Sequence, residues 1–561
     1  MRLKIESSYM KNNKRFYSVL FMIIAFVIIG AKRSNIYKQI RDSQATINSV
    51  YRHLITHYVD DIDLEKFTKL SIDNMLSDLD PYTVYLIKDQ RSNLDMLTKG
   101  KYGGVGIQIG KRDKRLTVIS PMDNSPAKRA GIVSGDIIVK INDQITDKMS
   151  MDDAAKLIRG QKGSRVTLTI ERFGYDEWTD YDLIRESIKV KDVSYAGMLN
   201  ETTGYIRLVR FSKNSSSEME TALSKLLAND MSSLILDLRD NPGGLLNSAV
   251  GILDMFIEKG ELLVWTGGKT KQSHRKYFSK NEPIVPGNVQ IAVLINKGSA
   301  SASEIVSGVM QDLDRGVVIG RQSFGKGLVQ TIYNLDKDKS LKVTTAKYYI
   351  PSGRLIQRKG YLPDELLADS SEVDTLFETI GGRRVTGGGG IKPDHIIDLE
   401  PISPIFSACR RNGLFFTFVQ KNNHLYESFD DVSSDNTLMD QFEDLVYSSD
   451  LDILLKGESS YLDTREMFIR LDSNNVSVIG AIDLLDRYFE EQALTQFDRE
   501  KKILKNWIMM EFAEHFNGMK GRIRIMSEID MDMIKALETC LLYTSDAADE
   551  GLGVDLGGRR I

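Results

Sequence analysis

A chain of 561 residues is too long for one hydrophobic core and divides into about three or four domains at the usual domain size. Its 74 basic and 78 acidic residues leave a net charge of −4, without the basic excess that marks nucleic-acid binding. The two cysteines, Cys409 and Cys540, exclude a disulfide framework.

The chain opens with an apolar, uncharged run from Phe16 to Ala31 behind Lys11, Lys14 and Arg15, the layout of a signal peptide or signal anchor in residues 1–35. As a helix the run spans ~24 Å, short of a ~30 Å hydrocarbon core. Ile29-Gly30-Ala31 leads straight into Lys32-Arg33, a poor cleavage pattern, so a retained anchor is expected, with Met10 as an alternative start. Residues 36–95 carry helical periodicity in Ile40, Ile47, Val50, Leu54 and Tyr58, then in Phe67, Leu70, Ile72, Met75 and Leu79, before Leu79-Asp-Pro-Tyr-Thr83 stops the helix.

From 96 to 188 the pattern turns to short strands punctuated by glycine. Gly103-Gly-Val-Gly-Ile-Gln-Ile109, Val118-Ile-Ser-Pro-Met122, Gly135-Asp-Ile-Ile-Val-Lys-Ile-Asn142, a helix from about Met151 to Ile158, and Val166-Thr-Leu-Thr-Ile170 follow in an order that resembles a PDZ domain. Such a domain holds a free chain terminus on the backbone N–H groups of a glycine-containing loop while the peptide adds to a sheet edge. Gly104, Val105, Gly106 and Ile107 are the candidate loop.

Residues 189–400 alternate strands and helices. Tyr205–Leu208, a helix over Ser217–Ala228, Leu234–Leu238, a helix over Leu246–Phe256, Ile291–Ile295, a helix over Ser303–Gln311 and Val317–Ile319 imply a largely parallel sheet with helical cover. Glycine-rich 382–391 closes this region. Residues 401–539 read as helical without a chemical motif, suited to scaffold, lid or oligomer contact. Residues 540–561 resemble translated sequencing-adapter sequence and are expected to be a non-native tail.

The chemistry is concentrated in Gly298-Ser-Ala-Ser-Ala-Ser-Glu304 and Ser323-Phe-Gly-Lys-Gly-Leu-Val-Gln330. A serine hydroxyl needs a base within reach and an oxyanion hole. None of the six histidines carries a triad motif, so a Ser-Lys arrangement, with Lys326 as the candidate base, is the better reading. A free lysine, with a pKa of ~10.4, needs its charged form destabilised by ~3 units, or ~4 kcal/mol, to serve near pH 7. Lys326 sits between glycines, after Phe324 and without an acid beside it in sequence; extended alternation would put it on one face with Leu328 and Gln330. The Ala302 N–H, at a helix start, is one expected oxyanion donor. The glycine turn Arg239-Asp-Asn-Pro-Gly-Gly-Leu245 is the expected source of a second. Ser299 and Ser303 are read as turn or cap residues, and Asp312 as fold support. The histidines lack metal-ligand spacing and no phosphate-binding loop is present, so no cofactor or metal is expected.

The pairing of these two motifs resembles the carboxyl-terminal processing peptidases, or tail-specific proteases. Ser301, Lys326 twenty-five residues on and Gln330 four beyond that match the family's nucleophile, base and assisting glutamine. The resemblance implies a crotonase-like α/β core with an inserted PDZ domain, an N-terminal helical arm and a C-terminal helical region. It places the second oxyanion donor at Gly243 or Gly244 without choosing between them, and matches Arg159, near the junction of PDZ domain and core, to an arginine that transmits peptide binding. The activity implied is endoproteolysis of proteins or peptides with free C-termini by an acyl-enzyme route; the alternative is an inactive PDZ scaffold. The expected setting is a bacterial inner membrane with the catalytic part in the periplasm. A homodimer through the helical arm stands beside an arm packed only on its own chain.

Overall fold

The computed structural model describes residues 36–87, 100–112, 114–358, 376–398, 403–449, 451, 453, 455, 457–472 and 475–540. The chain divides into two compact units, up to Leu79 and from Asp80 onward. The first holds helices α1 (36–57) and α2 (Leu64–Ser77), with Asp63 capping α2 by accepting from the Glu65 and Lys66 N–H groups. Tyr51 joins the helices, its ring 5.7 Å from Phe67 and its hydroxyl 3.0 Å from that of Thr68.

The expectation of an inner-membrane anchor with a periplasmic catalytic part does not stand. No helix among the described residues is long and apolar enough to cross a membrane, and the Phe16–Ala31 run to which the anchor was assigned lies outside them.

The second unit begins with strand β1 (Val84–Ile87). The PDZ-like part follows: β2 (Lys101–Gly104), β3 (Ile107–Arg112), β4 (Arg115–Pro121), α3 (Pro126–Arg129), β5 (Ile137–Ile141), β6 (Gln144–Ile145), α4 (Met151–Ile158), β7 (Arg165–Glu171), β8 (Thr179–Ile184) and β9 (Glu186–Lys189). Its antiparallel sheet runs β3-β4-β5-β7-β8, with β3 at an edge, and Val118, Ile138, Leu168 and Ile132 fill its core.

The core proper starts at β10 (Val193–Met198) and β11 (Thr203–Leu208), then α5 (Ser215–Leu227), β12 (Ser233–Asp237), α6 (Leu246–Leu253), β13 (Leu262–Gly267), β14 (Arg275–Phe278), β15 (Gln290–Ile295), α7 (Ala302–Asp312) and β16 (Val317–Gly320). One sheet runs β10-β11-β12-β15-β16-β21, where β21 is His395–Ile396; only the β10 pairing is antiparallel. Parallel strands need cover on both faces. Leu234, Leu236, Val293 and Ile295 point into the core under α5, α6 and α7. Their neighbours Ile235, Ala292 and Leu294 face the other way, against Ile523, Met533, Ala536 and Cys540.

A second antiparallel sheet combines β1, β13 and β14 with β17 (Leu328–Asn334) and β18 (Lys339–Tyr349). The short pair β19 (Leu376–Glu378) and β20 (Arg384–Thr386) lies before β21. The C-terminal helices are α8 (Pro404–Asn412), α9 (Leu414–Asn422), α10 (Phe429–Ser434), α11 (Leu438–Ser448), α12 (Glu458–Asp472), α13 (Val476–Ile529) and α14 (531–540), with α13 kinked at Gly518, where φ is +61°. Phe415, Phe418, Phe442, Phe497 and Phe512 form their aromatic core. Cys540, expected to open a non-native tail, is buried on the catalytic sheet; residues 541–561 lie outside the described ones.

Candidate active site

The parallel strands deliver three loops to one end of the sheet, the usual place for a site in an open α/β fold. After β12 comes 238–245, after β15 comes 296–301, and after β16 comes 321–327. Hydrogen bonds tie the middle loop to both neighbours. The Asn241 carbonyl accepts from the Ala300 N–H at 3.0 Å and the Ser303 hydroxyl at 2.9 Å, and the Ser299 hydroxyl donates to Leu238 O at 2.8 Å. On the other side the Phe324 N–H donates to Ser299 O at 2.9 Å. Ser299 and Ser303 are thus the stitching between loops.

Ser301 precedes the first residue of α7 with φ +55° and ψ −111°, a conformation costly for any residue with a Cβ. Such outliers persist only where the surroundings over-determine them. Here the constraint is Glu304, one turn on and fully buried. Its Oε2 accepts from the backbone N–H of Ser301 at 2.7 Å and of Lys326 at 2.9 Å, so a single oxygen joins the two backbones. Its Oε1 accepts from the Ser323 hydroxyl and the Gly325 N–H, both at 2.6 Å. A second bridge comes from the Tyr348 hydroxyl on β18, 2.5 Å from Lys326 O and 3.1 Å from Ser301 O. The motif reading placed Glu304 only at the end of a signature. Tyr348 carried no motif in the sequence; it reaches the site through the hairpin of β17 and β18, where Leu328 pairs with Lys347.

Lys326 is half-buried, and burial lowers its pKa from 10.5 to about 8, with the like charge of Lys342 adding to the effect and Glu304 and Asp80 opposing it. The expectation that no acid lies beside it holds along the chain but not in space. Its ammonium lies over the Tyr82 ring, 4.7 Å from the centroid. Tyr82 belongs to the Asp80–Thr83 turn, read from sequence only as a helix stop; Asp80 anchors that turn to the Thr344 hydroxyl at 3.0 Å. The alternation expected to align Lys326 with Gln330 does not reach back to Lys326, because β17 begins at Leu328; the register shift in its pairing with β18 leaves the extra residue, Thr345, on β18. The Gln330 Nε2 is buried and has no hydrogen-bond partner among the described residues.

Of the two glycines, Gly243 is the one against Ser301. A Cβ on it would stand 2.5 Å from Ala300 O, 2.8 Å from Ala302 N and 2.9 Å from Ser301 Cβ, and its φ of +93° suits glycine. Its own N–H donates to Asn241 Oδ1 at 2.9 Å. A Cβ on Gly244 would instead run into Phe211 O at 2.2 Å. Ala302, at the first helical position, has no intrahelical acceptor for its N–H. Asp312 is remote from this chemistry: it is buried, paired with buried Arg354 at 2.7 Å, and accepts from the Ser352 N–H at 2.9 Å.

In the PDZ-like part, the Gly104–Ile107 loop leads into edge strand β3, against which α4 packs. The loop is tied down through its carbonyls: Val105 O accepts from the Ala127 N–H at 3.0 Å and Gly106 O from the Met122 N–H at 2.8 Å. The Arg159 guanidinium lies 5.2 Å from the ring centroid of Tyr102, on the strand just before the loop. The peptide-binding and catalytic residues predicted from sequence therefore form two separate groups.

A sequence model described as Peptidase family S41 matches residues 202–367, which include the Gly298–Glu304 and Ser323–Gln330 segments, and one described as PDZ domain matches residues 117–172. The chain is 38% identical over 353 residues to a carboxy-terminal-processing protease of Bartonella bacilliformis, across 62% of this chain and 80% of that protein. It is 35% identical over 348 residues to a probable CtpA-like serine protease of Staphylococcus aureus, across 62% of this chain and 69% of that one. Among solved structures, the photosystem II D1 C-terminal processing protease aligns at 26% identity and a TM-score of 0.35, over 62% of this chain and 86% of that one.

Proposed function

The chain belongs to peptidase family S41, as a PDZ-containing carboxy-terminal-processing serine protease, and we propose that Ser301 is its nucleophile and Lys326 its general base. The observation that carries this reading is the double bridge, in which Glu304 and Tyr348 each hold Ser301 and Lys326 to one another.

Ser301 Oγ attacks the scissile carbonyl carbon, and its proton passes to neutral Lys326 Nζ. The carbonyl oxygen becomes an oxyanion in front of the Ala302 N–H, with the second donor from the Gly243-Gly244 turn. Collapse breaks the C–N bond, Lys326 returns the proton to the departing amine, and Ser301 keeps the acyl group as an ester. Water then attacks the ester as Lys326 takes its proton; the acid leaves and the serine is regenerated. Gln330 positions Lys326, a role supported by its buried amide, since an N–H donor can bond the lone pair of a neutral amine without restoring its charge. The Gly104–Ile107 loop and β3 receive the substrate terminus, and Arg159 relays its binding.

Ser301→Ala and Lys326→Ala are each expected to lower hydrolysis of a tail-bearing protein by about 10⁴-fold or more, with unchanged circular dichroism. His274→Ala and His395→Ala should hydrolyse it at the parent rate. Hydrolysis retained in either dyad variant would remove that residue from the mechanism.

A further inference from the structure

The start of the last helix reaches the bases of two catalytic loops. Helix α14 lies on the outer face of the parallel sheet through Met533, Ala536 and Cys540. Asp530 caps it, Oδ1 accepting from the N–H groups of Asp532 at 3.0 Å and Met533 at 3.3 Å. Two residues on, Asp532 is 2% exposed and its carboxylate receives two guanidinium groups. Oδ1 accepts from Arg321 Nη1 at 2.9 Å, while Oδ2 accepts from Arg321 Nη2 and, at 3.0 Å, from Arg239 Nη1. Asp530 Oδ2 adds a bond to Arg239 Nη1 at 2.7 Å. The other edge of Arg239 is held by buried Asp237, to which Nη2 donates at 2.8 Å and Nε at 3.0 Å.

The two arginines occupy matching places. Arg239 lies just past β12 and four residues before Gly243; Arg321 lies just past β16 and five before Lys326. Between them runs β15, which carries the Ser301 loop. A carboxylate withdrawn from water costs stability unless it is paired, and apolar contacts already dock α14. Burying these charges is therefore poorly explained as glue, since an apolar pair of equal volume would serve as well or better. What forked guanidinium pairs supply is fixed geometry.

We propose that Asp532, seconded by Asp530, is a positioning residue for catalysis that sets the spacing of the glycine loop and the lysine loop on either side of the nucleophile. The proposal rests on the reading of Ser301 and Lys326 as the dyad. It assigns a catalytic role to a segment 165 residues beyond the end of the matched peptidase span.

Releasing the arginines lets the loops drift, and a misplacement of about 1 Å costs roughly 10²-fold in rate. In the full-length chain, Asp532→Ala and Asp532→Asn are expected to lower kcat by about ten- to a hundredfold while KM for a peptide substrate stays put. The acid limb of the kcat/KM profile should move to higher pH, because a loosened lysine loop admits water to Lys326. Met533→Ala removes packing from the same helix but no ion pair; it should lower the melting temperature and leave kcat and the limb in place. If the alanine variant does not fold, the near-isosteric asparagine variant carries the test. A folded Asp532 variant with parental kcat and an unmoved limb would overturn the proposal, as would a Met533→Ala enzyme with the same kinetic loss. Ser301→Ala in the same assay separates the two readings: if it is inactive the dyad stands whatever Asp532 does, and if it is active the dyad and this proposal fall together.

Discussion

Burial of Lys326 carries a stability cost at neutral pH, the cost that its proposed role as base requires. Its native pKa of about 8 lies below the unfolded value of 10.5, so between those limits the unfolded chain binds more protons and stability rises with pH. Below about pH 8 the full penalty is felt, roughly 3 kcal/mol for a shift of this size; it is relieved as pH climbs toward 10.5. Lys326→Met is therefore expected to raise the free energy of urea unfolding at pH 7 by up to about 3 kcal/mol, with a smaller gain at pH 10. Equal gains at both pH values would show that lysine ionisation is not the cause. The same titration governs rate: kcat/KM of the parent should climb with pH through about 8 and level off above it, since only the neutral amine accepts the proton.

At the scale of elements, the nucleophile loop works by close approach, and Gly243 is where that approach is tightest. Gly243→Ala puts a methyl group 2.8 Å from Ala302 N, in the space an oxyanion would need, and strains a φ of +93°. The expected loss in kcat is about 10²- to 10³-fold, the size of one lost oxyanion donor. A variant within a few-fold of the parent would mean that the oxyanion lies elsewhere. The elements around this loop were legible in sequence because their signals are local. The alternation of strand and helix segments put α4 at about Met151–Ile158, placed α7 within a residue, and identified the parallel strands β11, β12, β15 and β16. The sheet of β1, β13, β14, β17 and β18 was not read, since β1 pairs with β18 across more than 250 residues and neither strand announces its partner. For the same reason Tyr82 escaped notice, and Tyr348, although on the hairpin that follows Lys326, carries no motif; Ser301, Lys326 and Gln330 stood out by spacing. The face assigned to Lys326 and Gln330 assumed an extended segment that includes both, whereas β17 begins at Leu328, two residues after the lysine.

At the scale of the molecule, the C-terminal helices, featureless as sequence, are an organising part of the second unit. Arg112, ending β3, lies 5.5 Å from the Phe416 ring centroid on α9, and the Gly135 turn comes so close to Gln420 that a Cβ there would stand 2.8 Å from its amide oxygen. The same helical region ends on the catalytic sheet. The PDZ-like part thus rests on the same helical region that ends on the parallel sheet, and in the proposed function it selects the substrate. A carboxylate held by backbone N–H groups loses its charge on amidation. A C-terminally amidated substrate should accordingly show a raised KM against its free-acid twin, with hydrolysis of a short peptide lacking a recognised tail unaffected. Identical kinetics for the twins would refute tail recognition and leave the dyad intact.

The central claim is that Ser301 carries the acyl group. Acid quenching of the enzyme during turnover of an activated peptide ester, followed by peptide mapping by mass spectrometry, tests it directly. A substrate acyl group is expected on Ser301, absent from Ser301→Ala and formed far more slowly in Lys326→Ala. An acyl group on any other residue, or full turnover by Ser301→Ala, would contradict it.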